Sequence, residues 1–293
     1  MRNPLLARRF FDRFEPVHAV TYFSPESRAA FDGLGYRGFW MGYFAGRSAP
    51  LGVAPTDVVT ALFYNFAPSR VAKALPAAWE VAPPGSALRA REDSAVATLR
   101  RYGFTDDGVR TAAELAANAA RSAPLDGRAL FAANAALPWP SEPLATLWHA
   151  VTLLREQRGD AHVAVLTSSG LSGRECNVLH AAAGRVPAEM IMRSRDYDEN
   201  QWRQYQERLA DRGLLHADGA LTDAGAALKQ HIEDTTDALA LSALDALDDV
   251  EVEELFRALT PIARAVVAAG DVPAATPMGL SRDDLDDDSA HLA

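Results

Sequence analysis

Apolar residues recur at intervals of three and four through six long segments of this 293-residue chain, and that spacing lines them along one side of a helix. The segments are PLLARRFFDRFEPVHAVTYF, DDGVRTAAELAANAARSA, EPLATLWHAVTLLREQRG, NQWRQYQERLADRGLL, TDAGAALKQHIEDTTDALALSAL and VEVEELFRALTPIARAVVAAG. Together they predict a mainly α protein. Pro4 suits a first helical turn, and Thr222 before Asp223 and Asp107 before Gly108 mark helix starts. One stretch departs from the pattern. In LLHADGALTD, Asp218-Gly219 sits between short apolar runs, which predicts a two-residue hairpin turn. LPWPSEP (137–143), with three prolines, predicts a boundary between two halves.

The second half has a readable order. A lead-in helix (144–158) precedes the helix GLSGRECNVLHAAAG, the short helix VPAEMIMRS and the helix YDENQWRQYQERLADRGLL. The hairpin wing LLHADGALTD and two long helices (222–241, 251–269) follow. Over roughly 144–269 this order resembles the MarR-type winged helix-turn-helix family. ERLADRGLLHADGALTDAGAAL, with its Leu-Thr-x-x-Gly helix start, is the most specific stretch. The whole chain is also similar to a set of actinobacterial proteins that carry a helix-turn-helix label, which is a statement of fold. The MarR resemblance implies homodimers whose terminal helices form the interface, with small ligands held between that interface and the DNA-reading lobes.

The word HAVT occurs at 18–21 and again at 149–152. Further pairs follow in the same order: Arg37-Gly38 with Arg158-Gly159, Arg70-Val71 with Arg185-Val186, FTDDG with LTDAG, and ALFAANAALP with ELFRALTPIA. This predicts an internal duplication, with two tandem winged-helix-like lobes forming an intrachain pseudo-dimer. The expected units are a degenerate, aromatic-rich lobe (1–140), a MarR-like lobe (141–270) and an acidic disordered tail (271–293). TLRRYGFTDDG is seven residues shorter than RLADRGLLHADGALTDAG, so the first lobe is expected to lack its wing hairpin. A fused pseudo-dimer needs no partner, so a monomer or a loose dimer is expected.

Charge and motifs exclude several functions. The net charge of −10 disfavours DNA as a partner, because a phosphate-backbone binder needs clustered Lys and Arg. Five aspartates of SRDDLDDDSAHLA supply part of that charge. Asp196, Asp198 and Glu199 at the start of the third helix of lobe two would repel phosphates, partly offset by Arg193, Arg195 and Arg203. In lobe one, Arg89, Arg91, Arg100 and Arg101 lie in the corresponding stretch. No apolar run reaches the ~20 residues of a membrane span, so no membrane association is expected. The single cysteine, Cys176, fits a reducing cytoplasm and reads as a structural thiol. No phosphate-binding, dinucleotide-binding, hydrolase or zincin motif is present, and no His-x3-His spacing supports a metal. No cofactor or metal is expected.

Fourteen of the 24 aromatic residues fall within residues 10–66, a concentration that suggests more than a core. Apolar walls with a few polar groups characterise small-molecule sites. YRGFWMGYFAGRSAPLG, with Arg37 and Arg47 among aromatics, is the best candidate for a pocket wall. The expected ligand-binding residues are Tyr22, Tyr36, Arg37, Trp40, Tyr43, Phe44, Tyr64 and Asn65. His18 and His149 occupy matching positions that a pseudo-twofold axis would bring together. Arg155, Arg158 and His162 share a helix face if the lead-in helix continues through RGDAHV. These observations point to a small-molecule-binding protein that takes a hydrophobic or aromatic ligand between or within the lobes. The alternative is an enzyme with His18, His149 or His162 as acid or base and Arg158 or Arg37 holding an anionic group. A third reading is a ligand-responsive transcriptional regulator.

Overall fold

The structure, a computed structural model, describes residues 2–184, 186–273, 282 and 284–292. Arg185, half of one repeated pair, lies outside the described residues. The helices in chain order are α1 (Leu5–Phe23), α2 (Pro25–Gly33), α3 (Gly38–Ser48), α4 (Thr56–Phe63), α5 (Pro68–Ala74), α6 (Ala77–Val81), α7 (Pro84–Arg101), α8 (Asp106–Ser122), α9 (Ala129–Ala135) and α10 (Pro143–Ser168). They continue as α11 (Gly173–Ala182), α12 (Ala188–Arg195), α13 (Glu199–Asp211), α14 (Asp223–Ala240) and α15 (Asp249–Ala269). The protein is mainly helical, as the periodicity requires.

α1 and α10 are the spine. α10 is buried on every side for most of its length, and a helix enclosed on all sides belongs to the core rather than the surface. It runs on past residue 158 through RGDAHV to Ser168. α8 offers it a row of buried alanines, including Ala112, Ala116, Ala119 and Ala120. Their small side chains let α10 lie close along α8. α1 packs against α10 and α15, so the largest core draws on residues from both sides of the proline-rich 137–143 stretch. α3 to α6 and the start of α7 enclose a second, aromatic core around Phe44, Phe63 and Phe66. α11 to α14 enclose a third around Ile191, Trp202 and Leu209.

The wing is smaller than the sequence predicts. No β-strand forms among the described residues, and the hairpin is reduced to one antiparallel bridge between Leu215 and Leu221. Its turn is where expected: Gly219 has φ +86° and the Ala220 amide donates to Asp218 Oδ1 at 3.0 Å. Six residues around an Asp-Gly turn leave too little chain for a second bridge before Thr222 caps α14. Thr222 Oγ1 accepts the Gly225 amide at 3.0 Å, and a Cβ at Gly225 would overlap the Leu214 carbonyl oxygen. The Leu-Thr-x-x-Gly signature is therefore a helix cap plus a close approach of α14 to the wing. Thr105 caps α8 through the Gly108 amide in the same way, but only residues 102–105 separate α7 from α8.

The described part of the acidic C-terminal stretch is not free in solution. Arg13 on α1 is fully buried and donates to the Asp284 carboxylate and to the Asp284 and Asp287 carbonyl oxygens. Glu253 on α15 accepts the Ala290 amide at 2.9 Å, and Leu285 and Ala290 are buried. A buried guanidinium needs acceptors for its fixed fork of donors, and this segment supplies them. Residues 274–281, which the sequence reading also assigned to a disordered tail, lie outside the described residues.

Candidate ligand-binding site

A cavity of about 360 Å³ lies where α1 crosses α10. α1 lines it with Phe11, Glu15 and Tyr22, and α10 with Arg155, Arg158 and His162. Both sets follow helical 3–4 spacing, so each helix turns one mixed polar and apolar face inward. The far wall is aromatic. Tyr43 stands with ring centroids 5.0 Å from Tyr22, 5.6 Å from Trp40 and 5.6 Å from Phe66. α11, α12 and α14 close the remaining side with Asn177, Arg195 and Ile232.

The turn carrying Tyr64 and Asn65 is fixed by α11. Tyr64 adopts φ +43°, an unusual conformation for a non-glycine residue. Its hydroxyl donates to the Leu171 carbonyl oxygen, and Asn177 Nδ2 donates to the Asn65 carbonyl oxygen at 2.9 Å. A Cβ at Gly173 would overlap the Tyr64 carbonyl oxygen, so only glycine lets α11 come this close.

Charged side chains that neither half could bury alone meet across the cavity wall. Arg47 donates Nε and Nη2 to the two carboxylate oxygens of Glu156 at 3.1 Å each. Arg155 Nη1 donates to Glu156 Oε2 at 2.8 Å, and Arg155 Nε lies 3.7 Å from Glu15 Oε1. Burial raises the Glu156 carboxyl pKa, but Arg155 and Arg47 override it and hold the group well below the usual carboxylate range. Glu15 is less well served. Burial outweighs Arg155 and pushes its carboxyl up to about 7, and Oε2 makes no hydrogen bond among the described residues. On the α14 side, Arg158 donates to Asp237 at 2.6 Å, and Arg8 and Lys229 pair with Glu233. Arg195 has no carboxylate partner among the described residues. Its guanidinium lies 4.1 Å over the Phe66 ring, and Nε makes no hydrogen bond among the described residues.

Of the residues expected at a site, Tyr22, Trp40, Tyr43, Tyr64, Asn65, Arg158 and His162 line this cavity. Tyr36, Arg37 and Phe44 do not. Tyr36 and Phe44 are buried in the aromatic core, with Tyr36 donating to the Ala82 carbonyl oxygen at 3.3 Å. Arg37 is exposed at the start of α3. His18 and His149 do not meet in one cavity. His18 bonds Thr152 Oγ1 at 3.0 Å and Tyr22 at 2.9 Å beside a small void. His149 packs against Trp139 with centroids 4.7 Å apart and lines neither space. Burial depresses all three histidines: His18 well below its ordinary value, His149 to about 4 and His162 to about 3. Burial likewise raises the Cys176 thiol to about 12, which suits a packing role. Glu15, Arg47, Arg155 and Arg195 also line the cavity, and none is among the ligand-binding residues expected from the sequence. A carboxylate and arginines inside otherwise apolar helical stretches are the signal that could have drawn attention to the first three.

A wider cleft of about 1250 Å³ opens between α1, α14 and the C-terminal segment. Its Arg8, Arg9 and Lys229 are paired with Asp237, Asp284 and Glu233, unlike Arg195, which has no carboxylate partner among the described residues.

A family model described as a helix-turn-helix family matches residues 7–273. The chain belongs to that helix-turn-helix family. No curated protein and no solved structure matches it. α12 and α13 are joined by residues 196–198, a connection of the length a helix-turn-helix uses. Two of the three acidic residues there have local tasks: Asp196 pairs with Arg70, and Asp198 caps α13 through the Gln201 amide at 2.8 Å. The outward face of α13 carries Asn200, Arg203 and Arg208. In α7, Arg91 is buried against the Gly46 carbonyl oxygen and Asn134, while Arg100 and Arg101 pair with Glu142 and Glu26. No helix among the described residues is long and apolar enough to cross a membrane.

Proposed function

We propose that this helix-turn-helix protein binds a small molecule of largely apolar or aromatic character in the cavity between α1 and α10. The cavity itself carries the reading: about 360 Å³, walled by Tyr22, Trp40, Tyr43 and Phe66, with buried cations on its polar side. We further read the scaffold as a duplicated MarR-type unit in which α1 and α10 are equivalent lead helices. Matching threonine caps at Thr105 and Thr222 support this, as does the exchange in which α1 packs on α15 and α10 on α9. On that reading the chain is a pseudo-dimer that needs no partner and sits in the cytoplasm, consistent with a single unpaired cysteine.

The test is uptake of 1-anilinonaphthalene-8-sulfonate followed by fluorescence. Wild type should bind one equivalent, and Val163→Trp, which adds an indole to the wall, should abolish uptake. Unchanged uptake by Val163→Trp, or none by the wild type, rejects the cavity as the site.

DNA binding is the second reading, favoured by the family and by Arg203 and Arg208 on the open face of α13. A gel shift in ~50 mM salt with DNA upstream of the protein's own gene, lost in Arg203→Ala/Arg208→Ala, would support it. No shift at that salt rejects it.

A further inference from the structure

Among the described residues of the cavity wall, Glu15 and Arg195 are buried groups of opposite character that each leave a hydrogen-bonding atom unfilled; Arg158 also leaves Nε unbonded, but its Nη2 is paired with Asp237. Glu15 is 1% exposed and leaves Oε2 without a partner among the described residues. Arg195 is 9% exposed and, among the described residues, has no carboxylate partner and leaves Nε unbonded. Its Nη1 reaches the Ser194 carbonyl oxygen only at 3.5 Å. Leaving such groups unsatisfied is costly, the more so when they are charged, so buried charges are ordinarily paired. The same protein pairs Arg47, Arg155 and Arg158 with carboxylates a few ångströms away. The contrast singles out Glu15 and Arg195.

They also occupy different parts of the cavity. The groups acting most strongly on Glu15 are Arg155, Glu156, Arg47 and Arg158. Those acting most strongly on Arg195 are Tyr43, Arg47, Cys176 and Tyr197. Arg47 is the neighbour common to both, and its guanidinium is already committed to Glu156. Glu15 projects from α1 and Arg195 from α12, with the Tyr43 and Phe66 rings beside the latter. Tyr22, Tyr43 and Phe66, in contact in that order, line the same cavity as the acceptor and the cation.

Resting on the cavity reading above, we propose that the ligand is two-ended: an apolar or aromatic body with an anionic group held by Arg195 and a hydrogen-bond donor, best an ammonium, held by Glu15. A planar guanidinium suits a carboxylate or other oxyanion. A ligand with only one of these groups leaves the other protein group buried and unpaired, which is the strongest available discrimination against an analogue.

Isothermal titration with matched probes tests this. The one-ring set is 4-(aminomethyl)benzoate, 4-methylbenzoate, 4-methylbenzylamine and p-xylene; the two-ring set carries the same groups on biphenyl. In the better-fitting set, the probe with both groups should bind at least ~10-fold more tightly than either singly charged probe. Arg195→Gln should erase its advantage over the amine, and Glu15→Gln its advantage over the acid. Retained uptake of the uncharged hydrocarbon by both variants checks that they fold. If the hydrocarbon or a singly charged probe binds as tightly as the doubly substituted one, the two-ended assignment is wrong while the apolar cavity stands. If no probe binds, both fail.

Discussion

Glu15→Gln should make the protein more stable at pH 8 than at pH 5 relative to the wild type. In the folded chain burial holds the carboxyl proton to about pH 7, whereas an unhindered glutamate loses it near 4.5. Between those values the native state carries the extra proton, so wild-type stability falls as pH rises through that window. The shift of about 2.5 units corresponds to roughly 3 kcal/mol at about 1.4 kcal/mol per unit. Below pH 4.5 both states are protonated and the contribution vanishes; above 7 the loss is complete. Glutamine cannot ionise, so the variant lacks this loss. Any constant cost of the amide offsets the curve without tilting it. With an unfolding entropy of about 2.1 cal/mol/K per residue over 293 residues, the tilt amounts to roughly 5 °C in Tm. Urea or thermal unfolding of both proteins from pH 4 to 8 gives the comparison. Parallel curves would show that Glu15 ionises normally, and would remove the argument that its burial is poorly compensated.

Arg47→Met should cost about 3–5 kcal/mol in urea unfolding, because it strands the Glu156 carboxylate in the core; a loss under 1 kcal/mol would mean that Arg155 alone suffices. Gly173→Ala should destabilise by about 1–3 kcal/mol and alter Tyr64 fluorescence or NMR shifts, since its Cβ enters the Tyr64 carbonyl oxygen. His149→Phe should reduce acid sensitivity: the wild type loses stability as pH falls from 6.5 towards 4, where the unfolded histidine takes a proton and the folded one does not. The same variant should leave 1-anilinonaphthalene-8-sulfonate uptake unchanged, and a loss of uptake would contradict its place outside the cavity. Deleting residues 282–293 should lower Tm and release the buried Arg13 from its acceptors; an unchanged Tm would mean that the segment does not dock.

Much of the fold was legible because its signals are local. Helical period located α1, α8, α10, α13, α14 and α15, and Asp218-Gly219 located the wing turn. Period also grouped Arg155, Arg158 and His162 on one face. The aromatic segment was harder to sort. Trp40, Tyr43 and Arg47 recur at 3–4 spacing and reach the cavity, while Phe44, on the flank of that face, fills the aromatic core. Arg37 was separated from them by the turn that starts α3. The matching sequence positions of His18 and His149 suggested a shared cavity, yet His18 bonds Thr152 on α10 while His149 packs against Trp139.

By itself, then, the sequence determined where the chain is helical, how the helices begin, and which of their faces are apolar, since these depend on residues a few positions apart. Tertiary structure alone decided which charges are buried together. Arg47 and Glu156 are 109 residues apart, and Arg13 and Asp284 271 apart. An arginine reads the same in sequence whether it will meet a carboxylate across the core or none. The difference between Arg47, which is paired, and Arg195, which has no carboxylate partner among the described residues, arises only when distant helices close around one cavity and shut out water.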